Sequence, residues 1–222
     1  MTQSKELTTT SRTRVKRQPA RASYDRALAY RILDEALVCS VGAVMDGTPL
    51  VIPMAFARLD DSLVLHGAHK SRLMTHLASG APVCVSVTLL DGIVLARSAM
   101  HHSFNYRSVV VFGVATEIVS PELKLRALTQ LVEHVMSGRS GDTRPPNDLE
   151  LKATQLVAIP IEEASVKVRS GDPVDDPEDL ELPYWAGQIP LSLRAGSPIV
   201  DTRNPPLAAV PALAKSYRRG ER

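Results

Sequence analysis

Ser-Leu-Val-Leu-His-Gly-Ala-His-Lys-Ser-Arg-Leu-Met-Thr-His-Leu-Ala, residues 62–78, carries the decisive reading of this chain. Leu63, Val64 and Leu65 form a short apolar run that reads as a buried strand. His66-Gly67-Ala68 breaks it, and Lys70-Ser71-Arg72 then open an amphipathic helix carrying Leu73, Met74 and Leu77. A strand that turns into a helix start lined with a hydroxyl and two cations has the makings of an anion site. The first helical N–H groups lack intrahelical partners, the helix dipole favours negative charge there, and Arg72 can grip two oxygens at once. The same residues also read as an ordinary helix start, with Ser71 as the cap and Lys70 and Arg72 solvated.

Working outward, strands dominate. Residues 37–45 and 48–59 read as a hairpin around Asp46-Gly47, and Pro53 inside the second strand implies an edge, a bulge or a ligand-facing break. Residues 82–90 and 93–97 read as strands around Asp91-Gly92, and 107–119 as a long β-branched strand. Two further strands are expected at 155–161 and 165–169. Helices are expected from Ser23 to about residue 36, after the Ser120-Pro121-Glu122 start, and in a short piece ending near Lys152. Strands joined mostly by hairpins, with helices appended, predict a β-rich α+β chain built on an antiparallel barrel. No Gly-x-Gly-x-x-Gly follows a strand, and the 67–71 run lacks the glycine spacing of a P-loop.

Length and charge bound the organisation. The 222 residues suffice for one domain with a sizeable core. The net charge of +2 hides an uneven distribution: residues 1–21 carry +5, residues 201–222 carry +3, and the body between carries −6. Residues 1–22 read as a flexible basic arm, 23–200 as the folded domain, and 201–222 as a flexible basic, Pro-rich tail. Basic tails on an acidic body do not make a nucleic-acid-binding face. No apolar run approaches a membrane span, and Cys39 and Cys84 lie in apolar strands as reduced thiols, so a cytoplasmic protein is expected.

The order of motifs resembles that of the pyridoxamine 5′-phosphate oxidase-like, FMN-binding split barrels, in the flavin-nucleotide-binding branch related to 5-nitroimidazole reductases. The pieces that carry the resemblance are Arg-Ala-Ser-Tyr-Asp-Arg (21–26), Val-Ile-Pro (51–53), Leu-Leu-Asp-Gly-Ile-Val-Leu-Ala-Arg-Ser (89–98) and His-His-Ser-Phe-Asn-Tyr-Arg-Ser-Val (101–109). It implies a split β-barrel with appended helices and FMN as cofactor. It further implies that Ser71 and Arg72, with Lys70 in place of a third-position cation, hold the flavin phosphate. Arg107 and Ser108 match a flavin-contacting Arg-Gln-Val strand, and Trp185-Ala186-Gly187 resembles a Trp-Gly-Gly whose Trp lies near the cofactor across a homodimer interface. Nothing after Gly187 matches the Arg-x-His-Asp-Arg segment of the oxidase proper, so pyridoxamine phosphate is not the expected substrate.

Pro53, Met54, His66 and Asn105 complete the expected cofactor set, although Met54 and Phe56 also read as ordinary core. A metal site built from His66, His69, His101 and His102 is not expected, because no Cys or acid is placed with them. Lys167 and Arg169 share a strand face that could neutralise a flavin but reads as solvated. The flavin would carry the chemistry, so no proton donor is required; His102 or Tyr106 is the candidate if there is one. The expected activity is an FMN-dependent oxidoreductase with a small-molecule substrate and an electron donor. The alternatives are a non-catalytic flavin binder or redox sensor, and a haem-binding split barrel.

Overall fold

The structure, a computed structural model, describes residues 5–205 and 209–218. The first helix, α1 (Arg26–Glu35), starts on Asp25, whose side chain accepts from the Ala27 N–H, and buries Ala29, Ile32 and Leu33. Ser23, the expected cap, lies instead in a two-residue strand, β1 (Ala22–Ser23), because it pairs with Val166. Then β2 (Val38–Met45) turns through Asp46 and Gly47, both at positive φ, into β3 (Thr48–Leu59). Two left-handed residues match the twist of the flanking strands, as a tight hairpin requires.

The strand β3 joins two sheets. Thr48 to Ala55 pair with β2, and Phe56 to Leu59 pair with β4 (Ser62–Ala68). Pro53 therefore falls where β3 has a neighbour on one side only, the edge position at which proline is tolerated. After α2 (Arg72–Ala78) comes β5 (Pro82–Leu95), one strand of 14 residues. The expected break at Asp91-Gly92 is a bulge: pairing with β6 (Ser103–Val114) shifts between Leu90 and Gly92 and then continues to Val94 opposite Ser103. Next are β7 (Thr116–Glu117), α3 (Pro121–Val135) capped by Ser120, α4 (Asp148–Ala153), β8 (Thr154–Pro160), β9 (Glu163–Arg169), β10 (Gly187–Pro190) and α5 (Ala212–Lys215).

The strand order is β1-β9-β6-β5-β2-β3-β4-β8-β7, with β10 added to β5. Every strand pairing among the described residues is antiparallel, and the sheet curls until Gly113 of β6 approaches Ile159 and Pro160 of β8. This is the expected split barrel. Its interior holds Val41, Phe56, Leu63, Leu65, Met74, Leu77, Val85, Val109, Val111, Ile159 and Val166. A second cluster, Ala57, Val64, Ala127, Leu131 and Leu156, seats α3 on the outside.

Residues 5–21 do not behave as a free arm. Leu7 and Thr13 are buried, Leu7 donates to the Tyr24 carbonyl and Thr8 to the Glu162 carbonyl (both 2.8 Å), and Arg12 pairs with Glu163. One well-placed leucine and a run of backbone bonds anchor a segment that has no apolar period. The expected arm's first four residues, and residues 206–208 and 219–222 of the expected tail, lie outside the described residues. Among the described residues no helix is long and apolar enough to cross a membrane.

Candidate functional site

The opening stretch folds as read, a buried strand running into a helix. His66, near the end of β4, shares its face with Val64 and, on the adjacent β8, Leu156. Its Nδ1 is buried and has no hydrogen-bond partner, and burial holds the imidazole below the usual histidine range, so the ring is neutral near pH 7. Gly67 follows because a Cβ there would meet Met74 Cγ at 2.6 Å. Ser71 caps α2, its Oγ accepting from the Met74 N–H at 3.4 Å. Lys70 and Arg72 are exposed and pair with no carboxylate among the described residues.

On β3 the same face continues through Ala55, Pro53 and Val51, with Val38 opposite Ala55 and Ser40 opposite Pro53. Past α3 this face is bare: Val38, Val44 and Val51 are 56%, 60% and 67% exposed. Met54 points the other way and packs on the barrel core, as the period of two demands, so it does not join Pro53.

The remaining candidates lie at the far end of β5 and β6. His102 is exposed, with Nδ1 at 3.0 Å from the Ser98 carbonyl. Asn105 is buried and donates to Gln188 Oε1 at 2.6 Å, tying β6 to β10. Trp185 is 67% exposed, and its ring covers Gly187, where a Cβ would come within 2.9 Å of it. Tyr106 is half-buried, and Ser108 donates to the Lys167 carbonyl at 3.2 Å.

Arg107 is not a free cation. Glu35 at the end of α1 grips it from one side, and Asp91 in the β5 bulge from the other at 2.7 and 2.9 Å. Hydrogen bonds to these two carboxylates raise its pKa further above its already high value. Glu35 and Arg107 line both of two clefts, of about 520 and 380 Å³. Sequence reading missed Glu35, took Asp91 for a turn residue, and read Arg169 as solvated although it is buried. The bulge signal, an Asp-Gly inside an otherwise continuous β pattern, was present.

The expected residues thus form two groups. Pro53, His66, Lys70, Ser71 and Arg72 sit on β3, β4 and α2, whereas His102, Asn105, Tyr106, Ser108 and Trp185 sit on and beside β6. In the strand order β5, β2 and β3 lie between β6 and β4. Among the described residues no cluster of three or more His, Cys, Asp or Glu could hold a metal ion. Cys39 is buried with its thiol pushed up to about 12, which leaves no thiolate near pH 7.

Residues 25–168 match the family of pyridoxamine 5′-phosphate oxidase, and the chain belongs to that family. No curated protein matches it. Among solved structures it is similar to the flavocytochrome Anf3 from Azotobacter vinelandii, at 38% identity over 95% of this chain and 98% of that one, with a TM-score of 0.90. It is also similar to the FAD and heme binding protein from Mycobacterium smegmatis, at 36% identity over 86% of this chain and 94% of that one, TM-score 0.83. A candidate 5-nitroimidazole antibiotic resistance protein from Bacteroides thetaiotaomicron shares the fold, at 24% identity over 66% of this chain and 86% of that one, TM-score 0.56.

Proposed function

We propose that the chain is a cytoplasmic, homodimeric oxidoreductase that binds a flavin nucleotide and a haem. The observation that carries the reading is likeness over 86–95% of the chain to a flavocytochrome and to a protein that binds FAD and heme. The second of these favours FAD over the FMN expected from the Ser71-Arg72 segment. Two features of the chain fit planar, anionic cofactors. His66 keeps a neutral ring whose buried Nδ1 is unpartnered, beside a bare sheet face of small and apolar residues. Lys70 and Arg72 stand nearby with no carboxylate among the described residues to neutralise them. His66 would hold the haem or line the flavin, and Arg72 with Ser71 would hold a flavin phosphate.

A flavin exchanges electrons in pairs or singly and a haem singly, which is the chemistry such a protein supplies. The chain's own part is to orient, to exclude water and to set charge. Two copies facing each other through Val38, Val44 and Val51 would cover that apolar face. They would also allow the Trp185 group of one protomer to approach the His66 group of the other. The missing Arg-x-His-Asp-Arg segment argues against pyridoxamine phosphate as substrate. A flavin-binding redox sensor without turnover is the second reading, and flavin binding with no turnover of any electron donor would mark it.

The experiment is the absorption spectrum of the purified protein before and after reduction, with the released flavin identified by mass. A flavin envelope that bleaches together with a Soret band that shifts on reduction is the expected result. A colourless protein that takes up neither cofactor on reconstitution would refute the reading.

A further inference from the structure

Arg169, the last residue of β9, is the only lysine or arginine among the described residues that is buried, at 7% exposure. Neutral oxygens alone hold it. One Nη donates to the Asn105 side chain and to the Gly171 carbonyl at 3.2 Å, and the other to the Asp172 carbonyl at 3.0 Å. The Asp172 carboxylate accepts from Gln188 at 2.7 Å instead. No ion pair among the described residues includes Arg169. Its Nε–H and one Nη–H remain without a partner.

A second cation crowds the first. Arg21 immediately precedes β1, whose Ala22 pairs with Lys167, so it lies beside the end of β9; its guanidinium has no partner among the described residues. Tyr106 stands directly opposite Arg169 on β6. Burial first, and then the charge of Arg21, push the Arg169 pKa down. A largely buried cation with a like charge beside it is unfavourable, and its bonds to neutral oxygens leave the charge without a counter-charge among the described residues.

We propose that Arg169, Arg21 and Tyr106 form an oxyanion-binding site for the phosphate or carboxylate group of a small acidic ligand. The two free donors of Arg169 grip one pair of oxygens, the phenol donates to another, and Arg21 supplies the second charge. The neighbouring strands β9 and β6 contribute one residue each, and the turn that leads into β1 contributes the third.

Inorganic phosphate is the probe, titrated into the purified full chain by calorimetry and by emission of Trp185, the single tryptophan, whose neighbouring strand β10 is tied to Asn105 through Gln188. Saturable binding is expected in the wild type, weakened about tenfold or more in Arg169→Gln and several-fold in Arg21→Gln. Arg169→Lys keeps the charge and loses the fork, so it falls between. Arg21→Gln breaks no side-chain bond among the described residues and keeps the test decisive if Arg169→Gln unfolds. The titration is repeated with FMN, FAD or riboflavin bound. Phosphate that competes with the nucleotides but not with riboflavin identifies the flavin's own phosphate as the anion. Phosphate that binds regardless assigns the site to a separate acidic molecule; either result upholds it. No saturable binding by the wild type overturns the proposal, as does binding that both Arg21→Gln and Arg169→Lys leave unchanged.

Discussion

Gly67→Ala tests the packing that sets the His66 site against α2. A Cβ at position 67 would lie 2.6 Å from Met74 Cγ and 3.3 Å from its sulfur. Carbon atoms in contact prefer about 3.5–4.0 Å, so the two side chains overlap by roughly 1 Å. Met74 is buried and Cγ lies close to the helix backbone, so swinging the tip of the side chain does not relieve the clash; α2 must move. Overpacking of this kind costs about 1–3 kcal/mol, a fall of roughly 2–12 °C in Tm for a chain of this size. Met74→Ala alone removes most of a buried side chain and costs about 2–5 kcal/mol. In the double variant the new methyl enters the space Met74 vacates, so the combined loss should be smaller than the sum by about 1–2 kcal/mol. Because α2 carries Ser71 and Arg72 at its start, Gly67→Ala should also lower flavin loading, and the double variant should recover part of it. Urea unfolding followed by circular dichroism measures the cycle, with flavin content read on the same samples. Losses that add to within about 0.5 kcal/mol would refute the clash as the reason for the glycine.

Two further outcomes follow from the same stretch. Arg72→Ala should weaken FMN or FAD binding by about ten- to a hundredfold, more than Lys70→Ala, and leave riboflavin almost untouched; equal loss for riboflavin would make Arg72 structural. The His66 pKa is depressed in the folded chain, so the unfolded chain takes up its proton first. Stability should therefore be intact above about pH 6.5 and fall as pH drops through the window below it. His66→Gln should flatten that slope in acid-unfolding curves measured without cofactor, and an unchanged slope would exclude His66 as its source.

Local chemistry made most of the fold legible. The Asp46-Gly47 hairpin, the strand running into α2 and the Ser120-Pro121 helix start each rest on residues close together in sequence, and each formed as read. The reading slipped where a distant partner decided. Ser23 could have capped a helix, but Val166, far along the chain, claims it as a strand residue. Asp91-Gly92 could have turned the chain, but β6 is long enough to pair on both sides of it. The N-terminal segment has no periodicity, yet Leu7 finds the core and Arg12 finds Glu163.

The two arginines on adjacent strands show why the candidate site was harder to read than the fold. Arg107 matched a ligand-contacting position, and Arg169 looked like part of a solvated face. In the structure Arg107 is neutralised twice over, by Glu35 and by Asp91, so an incoming anion would meet two carboxylates around it. Arg169 is buried with no carboxylate paired to it among the described residues and lies beside Arg21, so it retains both charge and free donors for an anion. Val168, the neighbour of Arg169 in sequence, pairs with Arg107, so the two arginines lie on adjoining strands. The difference between them lies in which acids fold against each. An arginine's availability is a property of the counter-charges around it, and those come from α1 and the β5 bulge in one case and are missing in the other. Motif position names the residue type that could bind a ligand; only the folded charge balance decides which copy is free to do so.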